Sequence, residues 1–458
     1  MDVCADSTSC KQHSTKRCSW CDEAPCPDSV PQSSRKATEC LKSCLVRNLY
    51  RQCAKSLDGN WSDPNNVQIE ELRSCALTNY LFLGFLKDSV PVSANEPRKV
   101  LIRVYGEVFR NSVDSIVTDA VNFAILGAKG IGPGLYGLFP GGRIEEFIES
   151  RPLASSELPL VIHTVAQHMA RIHSLCMPVC KQPVHILNLT EKFLSQLIGS
   201  GAPPRRPIPN VSANSLFELE NAYSSEGSPS LNGTDKTEFQ SVQHLACQLK
   251  IHEEHQWLKN QFMADPGFDS PVVFCHNDFQ ENNILVLNNP EQDGFHEIMP
   301  IDFEYASYNY RGFDIGNHFN EWCYDYTNPE PPFFFYDFDR YPSYEQQSAF
   351  WAAYLPVYHA EKEQSTTAGS NLNFDQGDSP VRNGAALDET ELNRLWIEAT
   401  YGALYSHILS ASWSLIQSQV SSIRFHFKEF AVARMDAYHR LKTVLMSKLA
   451  DCSPKSSD

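Results

Sequence analysis

Three short apolar runs in the middle of the chain predict strands that meet around one polar loop. They are Val272–Cys275, Ile284–Leu287 and Ile298–Ile301, and each is bounded by polar residues or proline. Apolar runs of this length between turn signals are typical of buried strands. The pattern therefore predicts strand, loop, strand, turn and strand, and Asp302 follows directly on the third run.

The flanking segments divide into a strand-rich first part and a helix-rich last part. Leu77–Leu86 and Val100–Val104 are apolar, β-favouring runs on either side of a polar connection. Thr118–Leu126 and Leu160–His173 space their apolar side chains as helices do. Further along, apolar residues at three- and four-residue spacing predict helices over Tyr344–Tyr354, Glu391–Ser418 and Glu429–Leu449.

The polar loop between the first two central runs offers the groups that phosphoryl transfer requires. In H-N-D-x-x-x-x-N, Asp278 and Asn283 lie five residues apart across one loop. One carboxylate is then available for a substrate hydroxyl, and an amide together with Asp302 is available for Mg²⁺, which prefers oxygen ligands. The catalytic candidates are therefore Asp278, Asn283 and Asp302. The alternative is that these residues cap turns and pair with surface lysines.

The residues around these acids resemble the signature of the choline/ethanolamine kinase family. The resemblance is carried by HNDFQENNIL, residues 276–285, and by IDFEYASYNYRGFDIGNHFNEW, residues 301–322. It extends over most of residues 70–186 and 271–445. It implies an α+β, two-lobed protein-kinase-like fold, with a small mixed N-lobe and a large, mainly helical C-lobe.

The same resemblance implies an activity and an organisation. The expected reaction is ATP-dependent phosphorylation of choline or ethanolamine, which feeds phospholipid synthesis. The N-lobe is expected over residues 67–147 and the C-lobe over 148–450, with the catalytic core at 271–326. Asp278 would accept the proton of the substrate hydroxyl, while Asn283 and Asp302 would hold Mg²⁺. Asp314 is expected to anchor the catalytic loop.

The resemblance also places the ATP-binding residues. In the segment RSCALTN, Ser74–Ala76 stand where the family carries a glycine pair next to the ATP phosphates. Residues with a Cβ resist the positive φ and the close backbone approach that such a turn often requires. The implied cofactor-binding residues are Arg73, Arg103, Asp119 and the lobe-hinge residues Glu145 and Phe147. Asp119 stands where the family has a glutamate that pairs with the cation on the strand, here Arg103.

A trimethylammonium group has no N–H to donate, so its binding requires aromatic faces and a nearby carboxylate. Ser410 stands where the family has a second tryptophan three residues before Trp413, and Arg424 stands where it usually has an acid. By resemblance, the substrate-binding residues are Tyr305, Glu321, Tyr326, Trp413, Phe425, Phe427 and Phe430. For any one of the phenylalanines or for Trp413, the alternative is a place in the helical core.

Composition narrows the class of partner. The net charge of −17 argues against a general nucleic-acid binder, which needs clustered lysine and arginine. An acidic protein favours a cationic substrate by electrostatic steering. By resemblance to the family we expect a small cationic amino alcohol as partner, and the net charge adds the expectation of no nucleic acid. A homodimer is left open, because the sequence does not determine the oligomeric state.

The sequence also bears on the compartment and on the segments outside the motifs. No apolar run approaches membrane-spanning length, and the first residues lack the apolar core of a secretory signal, so we expect a cytoplasmic protein with reduced thiols. Residues 1–60 hold eight of the fifteen cysteines among polar residues and are expected to form a mobile tail, within which 36–55 permit a helix. Pro, Gly and Ser predict inserted loops over 199–236 and 361–388.

Three alternatives stay open at this point. One is an aminoglycoside phosphotransferase relative, which shares H-N-D-x-x-x-x-N but not the long second motif. Another is a kinase that prefers ethanolamine. The third is a non-catalytic binding protein of the same fold, suggested by the altered phosphate loop at Ser74–Ala76.

Overall fold

The computed structural model describes eight segments of the chain, and these form two compact units. The described residues are 35–72, 79–105, 113–198, 242–264, 270–287, 297–368, 387–421 and 423–452. The first unit holds residues 35–72, 79–105 and 136–146, and the second unit holds the remainder.

Some of the residues singled out in the sequence lie outside the described segments. They are Arg73 and Ser74–Ala76 of the predicted phosphate loop, residues 1–34 of the tail, the insert 199–236 and residues 369–386 of the second insert. The expectations attached to them stay predictions.

The first unit is built on a five-stranded sheet in the order β1-β2-β3-β5-β4. The apolar runs predicted near residues 80 and 100 are confirmed as β2 and β3, which pair antiparallel with Leu83 opposite Leu101. The five strands are β1 (Val67–Leu72), β2 (Asn79–Leu86), β3 (Lys99–Tyr105), β4 (Leu135–Phe139) and β5 (Gly142–Glu146).

Helix α1 (Arg35–Leu57) contributes to the core of this unit. Leu49 and Cys53, one helical turn apart, are buried in one apolar cluster with Trp61 and Ile102. Burial raises the pKa of the Cys53 thiol to about 12, so this thiol stays protonated. The expectation of a mobile tail over residues 1–60 therefore differs from the structure between 35 and 57, because Leu49 and Cys53, with Leu45 and Leu57 beside them, pack on the core of the first unit.

The second unit is mainly helical. The three helices predicted near the C-terminus are confirmed, and the first of them continues to Ala368, into the second predicted insert. The helices are α2 (Val113–Ala128), α3 (Ile162–His173), α4 (His185–Ile198), α5 (Ile251–Ala264), α6 (Arg311–Glu321), α7 (Tyr344–Ala368), α8 (Glu389–Val420) and α9 (Phe427–Cys452). No helix within the described segments combines the length and the apolar character that crossing a membrane would require.

Short strands in the second unit hold the central polar loop. Strands β6, β8 and β9 form one antiparallel sheet, and β7 pairs with β10 in another. The loop 276–283 therefore connects two separate sheets. The strands are β6 (Ser150–Pro152), β7 (Val272–Cys275), β8 (Ile284–Leu287), β9 (Ile298–Pro300), β10 (Ser307–Tyr310), β11 (Tyr324–Asp325) and β12 (Phe335–Tyr336), and β7, β8 and β9 confirm the three predicted runs.

Helix α6 is buried along its whole length and crosses α8 at a point lined by glycine. A Cβ at Gly402 of α8 would overlap the backbone carbonyl of Gly312 in α6. A Cβ at Gly316 would likewise overlap the backbone of α8 at Ala399 and Ala403. The absence of side chains at these glycines lets the two helix backbones pack in direct contact, which fixes α6 relative to α8.

We predict that Gly402→Ala destabilises the protein. In an exposed helix this change adds about 1 kcal/mol of stability, because alanine is the better helix former. Overpacking at this crossing should reverse the sign and lower the free energy of unfolding by about 1–3 kcal/mol. Urea unfolding of Gly402→Ala measures the change, and Ser418→Ala, which removes a hydroxyl bonded to its own helix, is the matched control. A stabilised Gly402→Ala variant would contradict the packing argument.

Candidate functional site

The loop 276–283 begins at His276, whose imidazole connects it to the neighbouring strand. Nε2 donates to the carbonyl oxygen of Ile301 at 2.9 Å, and Nδ1 accepts the backbone N–H of Asp278 at 3.3 Å. Burial lowers the pKa of His276, so the ring is neutral and fits one donor and one acceptor role. Because Ile301 precedes Asp302, His276 fixes the position of Asp278 relative to Asp302.

A buried carboxylate, that of Asp314 in the first turn of α6, holds the backbone of this loop. Its oxygens accept the N–H groups of His276 at 2.8 Å and Asn277 at 2.7 Å, which confirms the predicted anchoring role. Its Oδ2 also lies 3.0 Å from Nε2 of His173. Burial alone would raise its pKa, but these hydrogen bonds and the nearby imidazoles hold the pKa of Asp314 below its ordinary value.

Two residues of the site adopt left-handed backbone conformations that non-glycine residues rarely take. Asn277 has φ of 66° and Asp302 has φ of 63°. Asn277 is held by its side chain, which donates to the carbonyl of Tyr305 at 2.8 Å and accepts from Asn309 at 2.8 Å. Each such conformation costs roughly 1–3 kcal/mol and persists only where the surroundings enforce it. The loop is therefore held in one shape by its neighbours.

The carboxylate of Asp278 lies at the centre of the site. Its Oδ2 accepts hydrogen bonds from Nδ2 of Asn283 at 2.9 Å and from Nε2 of Gln280 at 3.2 Å. Burial raises its pKa to about 7, and the charges of Glu321 and Asp302 contribute to the increase. At neutral pH this carboxyl group is therefore close to half ionised, which is the condition in which a group accepts and returns a proton.

Asn283 and Asp302 fit a magnesium ion by the chemistry of their donor atoms. The amide nitrogen of Asn283 donates to both the backbone oxygen and Oδ2 of Asp278, so its oxygen is the atom left for a metal. Asp302 carries a second carboxylate close enough to raise the pKa of Asp278. Mg²⁺ prefers oxygen ligands, and its charge would offset the repulsion between the neighbouring carboxylates.

Glu281, on the same loop, was not identified from the sequence. It is 4% exposed, and its Oε2 has no hydrogen-bond partner among the described residues. Burial raises its pKa well above the ordinary value, and the charge of Glu321 adds to the effect. Glu281 lies inside the predicted motif, but nothing in the sequence indicated that this acid is buried.

The head-group cluster lies at the end of α6 and combines one acid with several rings. We define it as Glu321, Tyr326, Arg434, Trp413, Phe425, Phe427 and Phe430. Oε2 of Glu321 accepts the hydroxyl of Tyr326 at 2.8 Å, and Oε1 accepts Nη2 of Arg434 at 2.6 Å. The sequence reading missed Arg434, because nothing in α9 indicated that this arginine is buried.

The predicted rings of the cluster do come together. The centroids of Phe425 and Phe427 lie 5.0 Å apart, those of Phe425 and Phe430 5.3 Å, and those of Trp413 and Phe427 5.7 Å. The ring of Tyr326 lies 6.0 Å from that of Phe430. Phe427 and Phe430 are buried, whereas Trp413, Phe425 and Tyr326 are half-buried and keep partly exposed surface.

Tyr305 lies next to loop 276–283, where its carbonyl accepts the side chain of Asn277, and Arg424 lies on the surface. The charge of Asp278 is among the causes that raise the pKa of the Tyr305 phenol, after burial and Glu304, so this ring is near the catalytic loop. Glu321 in turn raises the pKa of Asp278, which places the acid of the head-group cluster within electrostatic reach of the central carboxylate. Arg424 is exposed.

In the first unit, the strand cation Arg103 is part of a buried ionic group. Its Nε donates to Oε1 of Glu145 at 2.9 Å, and Nε of Arg143 donates to the same oxygen at 2.6 Å. Burial alone would raise the pKa of Glu145, but the two guanidinium groups hold it below its ordinary value. The sequence offered a signal for the pair of Arg143 with Glu145, since these residues are two apart in a strand and therefore share one face.

The other residues predicted to bind ATP lie in the second unit or outside the described segments. Asp119 is buried in α2, and Phe147 is half-buried directly after β5. The predicted pairing of Asp119 with Arg103 stays a prediction. Arg73 lies among the residues that the structure does not describe.

Comparison with known proteins gives consistent matches. A family model described as choline/ethanolamine kinase matches residues 70–439. Choline/ethanolamine kinase of Rattus norvegicus is 36% identical over 438 residues, which cover 93% of this chain and 94% of that protein. Choline kinase A2 of Caenorhabditis elegans is 32% identical over 430 residues, covering 88% of this chain and 86% of that protein.

Solved structures support the fold. Choline kinase from Cryptosporidium parvum Iowa II superposes with a TM-score of 0.57 at 22% identity, covering 88% of this chain and 96% of that chain. Plasmodium vivax ethanolamine kinase superposes with a TM-score of 0.55 at 21% identity. The predicted protein-kinase-like α+β fold is confirmed.

We predict that Asp278→Asn stabilises the protein in a pH-dependent way. The folded-state pKa of about 7 lies above the ordinary value, so ionisation of Asp278 costs folding stability as the pH rises from about 4 through 7. Asparagine removes that cost. The melting temperature of the variant should match that of the wild type near pH 4 and exceed it by about 2–4 °C above pH 7, without substrate or metal.

The matched control for this prediction is Asp325→Asn, which should act in the opposite direction. Burial alone would raise the pKa of Asp325, but hydrogen bonds from Thr327 lower it, so its ionised form stabilises the fold above the ordinary pKa. A pH-independent shift in Asp278→Asn would exclude the proposed electrostatic cost.

Proposed function

The chain belongs to the choline/ethanolamine kinase family, and from this premise we propose that it transfers a phosphoryl group from ATP to choline and ethanolamine. The observation that carries the proposal is the Asp278 carboxylate, which is held by Asn283 and raised in pKa to about 7. The retained loop argues against a non-catalytic binding protein. The long second motif argues against an aminoglycoside phosphotransferase.

Asp278 would orient the substrate hydroxyl and accept its proton as the oxygen attacks the terminal phosphorus of ATP. The hydrogen bonds to its Oδ2 keep one oxygen fixed, and the second oxygen is then available for the hydroxyl. A carboxyl group with a pKa near 7 is a better match for proton transfer at neutral pH than an ordinary aspartate.

Asn283 and Asp302 would hold Mg²⁺ through their oxygens. A bound magnesium ion neutralises the charge that develops on the phosphates during transfer. His276 keeps Asp278 and Asp302 at a fixed separation, because it bonds to Ile301 on one side and to the amide of Asp278 on the other. Arg103 would bind the ATP phosphates, and its hydrogen bond to Glu145 holds its side chain in one orientation.

The amino-alcohol head group would bind at the head-group cluster. Glu321 supplies the negative charge, and the half-buried rings of Tyr326, Trp413 and Phe425 supply faces for an ammonium group. Tyr305 would lie between this cluster and the catalytic loop. A cation bound here would also offset the repulsion between Glu321 and Asp278.

We predict that Asp278→Asn abolishes most of the transfer while ATP binding is kept. Loss of a positioned base costs about 10²–10⁴-fold in kcat, and the amide retains the shape of the carboxylate. A coupled ATP-consumption assay with choline and ethanolamine measures kcat and the KM for ATP. Asn282→Ala, an exposed substitution in the same loop, should change kcat less than threefold. Turnover within tenfold of wild type in Asp278→Asn would rule out its role as base.

A second prediction concerns the metal. Asp302→Asn should raise the Mg²⁺ concentration for half-maximal activity by about tenfold or more, because a neutral amide is a weaker ligand for a hard dication. The measurement is a Mg²⁺ titration at constant MgATP. Glu304→Gln removes a carboxylate two residues away and should shift the Mg²⁺ requirement less than threefold. Equal shifts in the two variants would indicate a general charge effect rather than ligation.

A further inference from the structure

Arg434 places a serine hydroxyl next to the acid of the head-group cluster. Its Nη2 donates to Oε1 of Glu321 at 2.6 Å and to Oγ of Ser410 at 2.7 Å. The guanidinium is buried, and its Cζ lies 4.6 Å from the ring centroid of Tyr324 and 5.2 Å from that of Phe430. One nitrogen therefore holds the hydroxyl of Ser410 and the carboxylate of Glu321 side by side.

Ser410 also borders the rings of the cluster. It lies three residues before Trp413 on α8, and residues at this spacing are neighbours on one helix face. Both side chains are half-buried, in contrast to the buried Ala411 and Ser412 between them. A hydroxyl has two acceptor lone pairs, and Arg434 occupies one of them. The second lone pair is available to another donor.

Primary and quaternary ammonium groups use different features of such a pocket. A quaternary ammonium has no N–H and binds through aromatic faces and charge alone. A primary ammonium carries three N–H donors, each of which requires an acceptor. Glu321 already accepts from Arg434 and Tyr326, so a primary ammonium bound beside it gains from an additional acceptor.

Arg434 also reduces what the rings offer to a quaternary head group. Its guanidinium lies over Tyr324 and Phe430, so these two faces interact with a cation that belongs to the chain itself. A trimethylammonium group must then rely on the remaining rings, whereas a primary ammonium keeps its hydrogen bonds. The hydrogen-bond acceptors of the pocket, rather than its rings, should therefore determine which ammonium group binds more tightly.

We propose that Ser410 is a specificity-determining residue, whose Oγ accepts an N–H from a primary or secondary ammonium bound at Glu321 and adds nothing to the binding of a quaternary one. The inference rests on the proposed function, since it takes amino alcohols as the substrates. It concerns the ratio of activities towards ethanolamine and choline, which membership of the family does not determine.

The test is steady-state kinetics of wild type and Ser410→Ala with ethanolamine, N-methylethanolamine and choline, at saturating ATP and Mg²⁺. Loss of one charged hydrogen bond should lower kcat/KM for ethanolamine about tenfold, through KM, and that for N-methylethanolamine by a similar factor. The value for choline should change less than twofold. Ser410→Thr, which keeps the hydroxyl, should restore the activity towards ethanolamine.

Ser412→Ala is the matched control, because its hydroxyl bonds to Ile408 within the same helix. This variant should leave the ratio of kcat/KM for ethanolamine to kcat/KM for choline unchanged. The ratio is measured in one preparation, so partial unfolding of a variant does not affect it. Equal losses for ethanolamine and choline in Ser410→Ala, or no loss for either, would overturn the assignment of Ser410. Absence of turnover with both substrates in the wild type would instead overturn the proposed function, and this inference with it.

Discussion

The carboxylate of Asp314 is the interaction on which the geometry of the site depends. It is buried at the start of α6, and it accepts the backbone amides that lead into Asp278. Two of the surrounding conformations, at Asn277 and Asp302, are costly for residues with a side chain. Without a fixed acceptor behind the loop, these conformations would relax and the central carboxylate would lose its position. The packing of α6 against α8 through glycines holds that acceptor in place.

Charge is the second constraint. Asp278 and Glu281 are raised in pKa by burial and by the charge of Glu321, so acidic groups lie close together in a desolvated region that disfavours their ionisation. Arg434 compensates Glu321. Under the proposed function, a metal ion and a cationic substrate would both favour the ionised forms of these acids. A cationic substrate would therefore complement the acidic groups of this site.

The sequence predicted what depends on local pattern. The three central strands and the loop between them followed from short apolar runs, the anchoring role of Asp314 followed from the resemblance to the family, and the structure has them where they were expected. The ion pairs of Arg434 with Glu321 and of Arg103 with Glu145 did not follow. Each joins residues that are far apart in the chain, and a single sequence does not encode such distances. The sequence also did not predict that helix α1 packs on the core of the first unit, because only a few apolar positions in a polar segment make that contact.

Helix α6 carries Asp314 in its first turn and Glu321 at its last residue. These positions are seven residues apart, which is two turns and about 10 Å along the axis, on nearly the same face. The helix therefore holds Glu321 at a fixed distance from the carboxylate that anchors loop 276–283. Substitutions of side chains around Glu321 leave this distance unchanged. Under the proposed function, this spacing would match the separation between the hydroxyl and the nitrogen of the substrate.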